Sequence, residues 1–321
     1  MIALDRHDSQ ESCHHFILLF GIGFIGRHIF LALSSTGQFD CREFPFDWRD
    51  SDRQHLELTQ IRNYLAARLN VAQSSMCRVD IIWAAGKAGF GERESQFLSE
   101  SLTIRNLLDF TKELDCSISI QRAWFHHFSS AGGLFEGQRL VSNFTTPDPL
   151  RDYGRIKLGQ ETNVSDMLPK VFKTAIYRPS SVYGLAISKN RIGLISALIR
   201  SALTGVEAEI YGSLNTLRDF VLVTDIANFV RSKVLYQPPE NSTFTLCSGK
   251  PASVIEVIGL IQQVANHKLN MRYRILTDNA LDNSYCQKIL PSNWYPTGLK
   301  EGIAQTFMKT ATYYANSGFK H

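Results

Sequence analysis

Short apolar runs alternate with amphipathic stretches along the first half of the chain. Apolar runs bounded by polar or turn-forming residues predict strands, which are expected at 15–20, 41–46, 79–86, 123–133 (ending in a glycine turn) and 171–179. Apolar positions three or four residues apart predict helices, which are expected up to about residue 34 and at 56–69, 95–114 and 153–168. This alternation indicates an α/β fold with a doubly wound parallel sheet.

The second half of the chain follows a looser pattern after Pro179. Helices are predicted at 191–205, 253–266 and 298–315, a strand at 243–249, and a strand followed by a helix over 217–236. No internal repeat, low-complexity tract or long linker separates the two halves. We therefore expect a first domain over 1–180 that also takes in about 217–247, and a smaller carboxyl-terminal lobe from 181–216 and 248–321.

The composition narrows the class of protein. Of 321 residues, 44% are hydrophobic and 20% are charged, which is typical of a soluble globular protein. The net charge of +4 is spread along the chain without a dense Lys/Arg run, so no nucleic-acid partner is expected. Six cysteines without a Cys-x-x-Cys pair indicate the reduced thiols of a cytoplasmic protein, and no metal site is predicted.

The amino-terminal residues do not have the pattern expected of a targeting or membrane-spanning segment. Residues 1–15 are polar and lack the apolar run of a signal peptide. The apolar stretch 16–33 contains three glycines and the Arg27–His28 pair, which argue against a membrane-spanning helix. A strand, a tight turn and a helix explain this stretch better, so no membrane insertion is expected.

A glycine-rich turn lies between the first predicted strand and the first predicted helix. Gly21, Gly23 and Gly26 follow the Gly-x-Gly-x-x-Gly pattern. Such a turn lets backbone amides approach a pyrophosphate at a helix N-terminus, and this pattern requires a strand before it and a helix after it. The turn therefore predicts dinucleotide binding, with Phe24 and Ile25 also beside the cofactor.

An acidic residue about 20 positions beyond the glycines would bind the adenosine ribose of NAD. Asp47 lies 21 residues after Gly26, and Asp40 is an alternative. Arg42 and Arg49 flank the site, and either would instead suit the 2′-phosphate of NADP. NAD is the expected cofactor, and the choice between NAD and NADP stays open.

Small and polar residues lie at the ends of the predicted strands 79–86 and 123–133. The first of these strands ends in Ala84, Ala85 and Gly86, where bulk would block a cofactor at the carboxyl end of the strand. The second ends in Ser129 and Ser130, which come 24 and 23 residues before Tyr153. A serine hydroxyl there could hydrogen-bond a substrate hydroxyl or carbonyl while Tyr153 moves the proton.

Tyr153 and Lys157 lie four positions apart in a predicted helix and would share one face of it. A nearby ammonium favours the phenolate and lowers the pKa of a tyrosine from about 10. The Tyr-x-x-x-Lys spacing alone also fits a structural helix, so its catalytic interpretation depends on the other motifs. Arg218 suits phosphate oxygens, with an ion pair to Asp219 as the structural alternative.

These motifs together resemble the extended short-chain dehydrogenase/reductase family, which contains the nucleotide-sugar epimerases and dehydratases. The resemblance covers nearly the whole chain in order, through GIGFIGRH, VDIIWAAG, FSSAGG, YGRIK, YRPSSVYG, IYGSLNTLRDFVLVTDIANFV, FTLCSGKPASVIEVI and YPTGLKEGI. It implies a Rossmann-type NAD-binding domain and a smaller carboxyl-terminal lobe for a nucleotide-sugar substrate. A homodimer is one open alternative for its assembly.

The resemblance also implies the roles of the reacting residues. Tyr153 would be the catalytic acid/base. Lys157 would bind the nicotinamide ribose and lower the pKa of the tyrosine, and Ser130 or Ser129 would be the hydroxyl partner. The family usually has a serine or threonine at the position of Ala131, so Ser130, one residue earlier, would substitute for it.

Later in the chain the resemblance implies contacts to cofactor and substrate. Pro179 and Ser180 would line the nicotinamide, and Arg218 would contact the nucleotide diphosphate. Ser181 stands where the family usually has an asparagine, which implies different sugar contacts. Two further departures are Phe20, where the family has the first glycine of its motif, and Glu100, where an asparagine is common.

The same residues rank the candidate functions. The 4,6-dehydratases of this family carry an Asp–Glu pair where Ala-Gly-Gly follows Ser130, which disfavours dehydration. An epimerase needs NAD, the tyrosine, the lysine and a hydroxyl partner, and a ketoreductase uses the same residues with NADPH. A non-catalytic dinucleotide-binding protein is a third alternative, which the retention of Tyr153 and Lys157 opposes. The sequence therefore predicts a nucleotide-sugar epimerase acting at the 4-position.

Overall fold

The computed structural model describes residues 1–8, 12–72, 76–86, 94–186, 193–274 and 281–317. The chain divides into two compact units. The first unit contains Met1–Leu134, Pro149–Arg178 and Ala227–Phe244. The second contains Phe135–Asp148, Pro179–Ile226 and Thr245–His321.

The described parts of the chain contain thirteen strands and nine α-helices. The strands are β1 Ile2–Asp8, β2 Cys13–Phe20, β3 Asp40–Glu43, β4 Met76–Trp83, β5 Arg122–Phe128, β6 Phe172–Pro179, β7 Ser181–Tyr183, β8 Ala208–Tyr211, β9 Leu217–Arg218, β10 Phe220–Leu222, β11 Ser242–Leu246, β12 Ala252–Ser253 and β13 Met271–Arg274. The helices are α1 Phe24–Ser34, α2 Ser51–Ala72, α3 Glu94–Ser117, α4 Ala131–Leu134, α5 Asp152–Met167, α6 Leu194–Thr204, α7 Val223–Leu235, α8 Val254–Ala265 and α9 Leu299–Asn316. Residues 191 and 192, the start of one predicted helix, lie outside the described residues.

A sheet in the order β11-β6-β5-β4-β2-β1-β3 forms the centre of the fold. Strands β2, β4, β5 and β6 pair in parallel, with Phe20 opposite Trp83 and Phe128 opposite Tyr177. Their carboxyl ends therefore meet at one edge, which we call the carboxyl edge. The predicted α/β class with a doubly wound, mainly parallel sheet is confirmed.

Strand β1 was not expected from the polar start of the chain. It runs antiparallel to both β2 and β3 and lies between them. Its buried Asp5 is hydrogen-bonded to His14 at 2.9 Å, to Arg68 at 2.8 Å and to Tyr64. Buried polar groups are tolerated when they are paired in this way, and the pairing involves residues far apart in the sequence.

The core of the first unit lies where α2 and α3 cover one face of the sheet. Side chains of β2 that alternate along the strand, including Phe16, Leu18 and Phe20, pack with helix residues such as Ile61 and Leu107. Burying one such side chain stabilises the folded state by about 1.5–3 kcal/mol relative to leaving it exposed. This packing holds the strands whose carboxyl ends carry the predicted site.

The second unit has its own core around α6, α8 and α9. Leu198 and Ile199 of α6 pack in the same buried cluster as Ile261 of α8 and Ile303 of α9. Helix α8 begins with a capping box, in which Ser253 and Glu256 bond to each other's backbone N–H groups. Among the residues described, no helix combines the length and the apolar composition that crossing a bilayer requires.

Candidate active site

The glycine turn lies at the carboxyl edge, between β2 and α1. Gly21 has a φ of +93°, and a Cβ there would collide with the backbone of Ala85. A Cβ on Gly26 would collide with the carbonyl of Gly21, so these two glycines are required by close packing. Gly23 is the N-cap of α1, and no described atom lies within 4 Å of a Cβ built on it. The turn therefore fits a pyrophosphate, because Gly23 leaves space in front of the helix N-terminus.

The end of β4 links this turn to the Tyr/Lys helix. The N–H of Ala84 donates to the carbonyl of Phe20 at 2.8 Å, which extends the pairing of β4 with β2. A Cβ built on the exposed Gly86 would lie 3.5 Å from Lys157 Nζ. The small residues at 84–86 thus bring the glycine turn and Lys157 to the same part of the carboxyl edge.

Asp47 follows β3, which is separated from β2 by β1. Its Oδ1 accepts hydrogen bonds from the N–H groups of Arg49 at 2.8 Å and Asp50 at 3.0 Å. These backbone hydrogen bonds hold the pKa of Asp47 below its usual value. One carboxylate oxygen thus stabilises the turn before α2, and ribose binding by Asp47 stays a prediction.

Tyr153 and Lys157 lie one turn apart on α5, as the spacing predicted. Tyr153 is half-buried, and its ring lies against Gly133 of α4. A Cβ built on Gly133 would be 2.9 Å from Cδ1 of Tyr153. Gly133 was not singled out from the sequence, because this contact joins positions 20 residues apart and leaves no local pattern.

Lys157 forms a buried ion pair with Glu100 of α3. Nζ donates to Glu100 Oε1 at 2.9 Å and to Gln160 Oε1 at 3.0 Å. Burial alone would lower the pKa of Lys157, but the Glu100 carboxylate and then the other groups near it raise this pKa above its usual value. The sequence showed Glu100 as a departure from the family, but it did not show that Glu100 pairs with Lys157.

The two serines after β5 have different environments. Ser130 Oγ accepts a hydrogen bond from the N–H of Gly133 at 3.1 Å, and its own proton has no acceptor among the described residues. Ser129 is buried, and its Oγ has no hydrogen-bond partner among the described residues. Ala131 is fully buried in α4 and has no hydroxyl. Ser130, which is partly exposed, is therefore better placed than Ser129 to reach a ligand.

Phe24 and Ile25 lie in the first turn of α1, whereas the predicted site residues at 179–181 and 218 belong to the second unit. Ser180 Oγ donates to the buried carboxylate of Asp219 at 2.7 Å, and the N–H of Ser181 donates to the Asp219 carbonyl at 3.0 Å. Burial raises the pKa of Asp219, while hydrogen bonds from Ser248, Ser180 and Gly249 oppose this. Asp219 thus fixes the segment after Pro179, a role that the sequence did not reveal.

Arg218 occupies β9, where it pairs with Ala252 of β12 and directly precedes Asp219 in the chain. Its predicted contact with a nucleotide diphosphate stays a prediction. Within the described ranges, no group of three His, Cys, Asp or Glu side chains is placed to hold a metal ion.

Comparisons with known proteins place this geometry in a family. Residues 17–239 match the model of the NAD dependent epimerase/dehydratase family. A GDP-6-deoxy-D-talose 4-dehydrogenase of Aggregatibacter actinomycetemcomitans is 28% identical over 150 residues, which are 45% of this chain and 48% of that protein. A dTDP-L-rhamnose 4-epimerase of Burkholderia thailandensis is 29% identical over 121 residues, 36% of this chain and 33% of that protein. The chain thus spans half or less of these two curated relatives.

A solved structure shows the same fold over nearly the whole chain. MoeE5 in complex with UDP-glucose and NAD matches with a TM-score of 0.74 at 21% identity, covering 92% of this chain and 99% of that one. The family match covers more than half of the sequence, and it includes the glycine turn and the Tyr/Lys helix. The chain therefore belongs to the NAD-dependent epimerase/dehydratase family.

Proposed function

We propose that the protein is an NAD-dependent epimerase that acts at the 4-position of a nucleotide-linked sugar. The observation that carries the proposal is the position of Tyr153, half-buried beside Gly133 and one helical turn from the buried, charged Lys157. Close packing connects this helix through Gly86 and Ala85 to the glycine turn. The names of the two curated relatives, a 4-dehydrogenase and a 4-epimerase, support the 4-position.

Each side chain has a defined task in this proposal. A dinucleotide held at the glycine turn and by Lys157 would supply a reversible hydride acceptor for the sugar carbon. Tyr153, as the phenolate favoured by the Lys157 ammonium, would take the proton of the sugar hydroxyl as the carbon is oxidised to a ketone, and it would return that proton afterwards. Ser130 would donate a hydrogen bond from its hydroxyl to the same sugar oxygen. Because the product differs from the substrate in configuration alone, no cofactor is consumed.

Residues at the glycine turn and in the second unit would bind the two ligands. The N–H groups at the start of α1, beside Gly23, would hold the pyrophosphate of NAD, and Lys157 would donate to the nicotinamide ribose. Arg218 would contact the nucleotide diphosphate, since a guanidinium donates two parallel hydrogen bonds to phosphate oxygens. The segment Pro179–Ser180, held by Asp219, would line the nicotinamide.

Reduction of a keto sugar by NAD(P)H is the second candidate function. One curated relative is a 4-dehydrogenase, and the same tyrosine would then deliver a proton to the ketone oxygen. A thermal-shift screen of UDP-, GDP- and dTDP-sugars with NAD or NADP identifies the ligands first. A ligand at 100 times its dissociation constant adds about 2.7 kcal/mol of stability, which such a screen detects.

Isotopic labelling then separates the two reactions. A nucleotide sugar deuterated at the reacting carbon is expected to give an epimer that retains its deuterium, without exchange into added NADH. Mass spectrometry of the product measures this retention. Stoichiometric oxidation of NADPH by a keto sugar, with no epimer formed, would refute the epimerase and establish the reductase.

A further inference from the structure

Lys157 is a buried cation whose charge is balanced by a carboxylate from another helix. The Lys157 side chain is 5% exposed, and that of Glu100 is 8% exposed. Gln160 Nε2 also donates to Glu100 Oε1, at 3.0 Å, so the three side chains form a closed triangle. A buried ammonium without a counter-charge loses its proton several pH units earlier than an exposed one.

The other titratable groups around Lys157 contribute less to balancing its charge than Glu100 does. Glu161, one turn further along α5, is held by Arg178 of β6 through hydrogen bonds of 2.9 and 2.6 Å. His127 of β5 is fully buried, and this burial, followed by the charge of Lys157, holds the pKa of His127 well below its usual value. Tyr153 adds negative charge beside Lys157 only as the phenolate, the form that would accept the sugar proton, and its effect on the pKa of Lys157 comes after that of Glu100. Glu100, which forms the direct ion pair at 2.9 Å, therefore supplies the main balancing negative charge.

The Glu100 carboxylate has little else to stabilise it in the described part of the chain. Its Oε2 is buried there without a hydrogen-bond partner. A Cβ built on Gly86 would lie 3.5 Å from Glu100 Oε1 and from Lys157 Nζ. The ion pair thus lies beside the exposed Gly86, three residues after β4 ends, where the cofactor is expected.

We propose that Glu100 is a positioning residue that keeps Lys157 charged and directed at the end of β4 over the pH range in which the enzyme works. The inference rests on the proposed function for the task of Lys157. The charge state of Lys157 itself can be measured without substrate.

The test is a titration of Lys157 by NMR in the full-length protein. Lysine labelled with ¹⁵N at Nζ reports the protonation state, and the spectrum of Lys157→Met assigns the signal. In Glu100→Gln, we expect the titration midpoint of Lys157 to fall by at least about one pH unit. Glu113→Gln is the matched control, because Glu113 lies on the same helix in an exposed pair with Arg62 at 3.4 Å. In this control, the titration midpoint of Lys157 should equal that of the wild type.

A binding measurement tests the consequence for the cofactor. The dissociation constant of NAD should begin to rise at a lower pH in Glu100→Gln than in the wild type or Glu113→Gln. If Glu100→Gln does not fold, Glu100→Asn gives the same comparison. Glu100→Asp retains the carboxylate, so the titration midpoint of Lys157 in this variant should lie closer to that of the wild type than to that of Glu100→Gln.

The two proposals fail in different ways. An unchanged Lys157 midpoint in Glu100→Gln overturns the role of Glu100, even if the enzyme epimerises sugars. A lowered midpoint in a protein that shows no hydride transfer supports the role of Glu100 and overturns the proposed function instead.

Discussion

Gly133→Ala tests whether the position of Tyr153 governs activity. The new Cβ would lie 2.9 Å from Cδ1 and 3.0 Å from Cε1 of the Tyr153 ring. Favourable carbon–carbon separations are about 3.5–4.0 Å, so the ring must retreat by roughly 0.5–1 Å. A displacement of about 1 Å at a reacting group can cost about 10²-fold in rate. We therefore expect turnover to fall by about 10- to 100-fold, equivalent to about 1.4–2.7 kcal/mol.

The assay compares steady-state turnover with that of a matched control, Gly159→Ala. Gly159 lies on the same helix as Tyr153, and no described atom is within 4 Å of a Cβ built on it. This control should keep full activity and gain up to about 1 kcal/mol of stability from the better helix former. A Gly133→Ala protein with wild-type turnover, a wild-type melting temperature and an alanine confirmed at 133 would refute the proposed dependence on the Tyr153 ring position.

Three further variants probe the rest of the account. Gly23→Val should abolish dinucleotide binding in isothermal titration and leave the fold intact, so unchanged affinity for NAD and NADP would rule out this cofactor position. Arg218→Ala should raise the Michaelis constant for the nucleotide sugar more than it lowers turnover, and the reverse pattern would contradict a binding role. Asp80 of β4 is fully buried and bonds to Arg78 at 2.9 Å, to His15 at 2.7 Å and to His126 at 2.8 Å. Burial would raise the pKa of Asp80, but these three partners hold it well below its usual value, so the stability that the Asp80 carboxylate contributes is present above about pH 3.9 and is lost as the pH falls. Asp80→Asn should therefore destabilise the protein by about 3–5 kcal/mol near pH 7 and weaken the acid dependence of thermal unfolding, while equal losses at pH 3 and 7 would contradict the assignment.

The parallel part of the fold was predictable because its signals are local. Apolar runs such as residues 15–20 and 79–83 repeat with helices between them, and the strands β2 and β4 form at these positions. Strand β1 was missed because its polar residues are satisfied by distant partners, as Asp5 is by Arg68. The short strands of the second unit, such as β8 and β13, are four residues long and carry too little pattern to be identified.

The candidate site also contains features that the sequence predicted and features that only the structure shows. The spacing of Tyr153 and Lys157, and the glycines before α1, are encoded within a few consecutive residues and were found from the sequence. The ion pair of Lys157 with Glu100 joins positions 57 residues apart, and it depends on how α3 packs against α5. Such pairings follow from tertiary packing, so a single sequence could mark Glu100 as unusual but could not assign its partner.

The most direct test of the central claim is the turnover of Tyr153→Phe, measured together with its NAD affinity. The variant removes one hydroxyl and retains the ring that packs against Gly133. We predict that turnover of the nucleotide sugar falls by about 10²–10⁴-fold, the usual scale for general acid/base catalysis, and that NAD affinity is retained. Turnover close to that of the wild type would contradict the assignment of Tyr153 as the group that moves the proton.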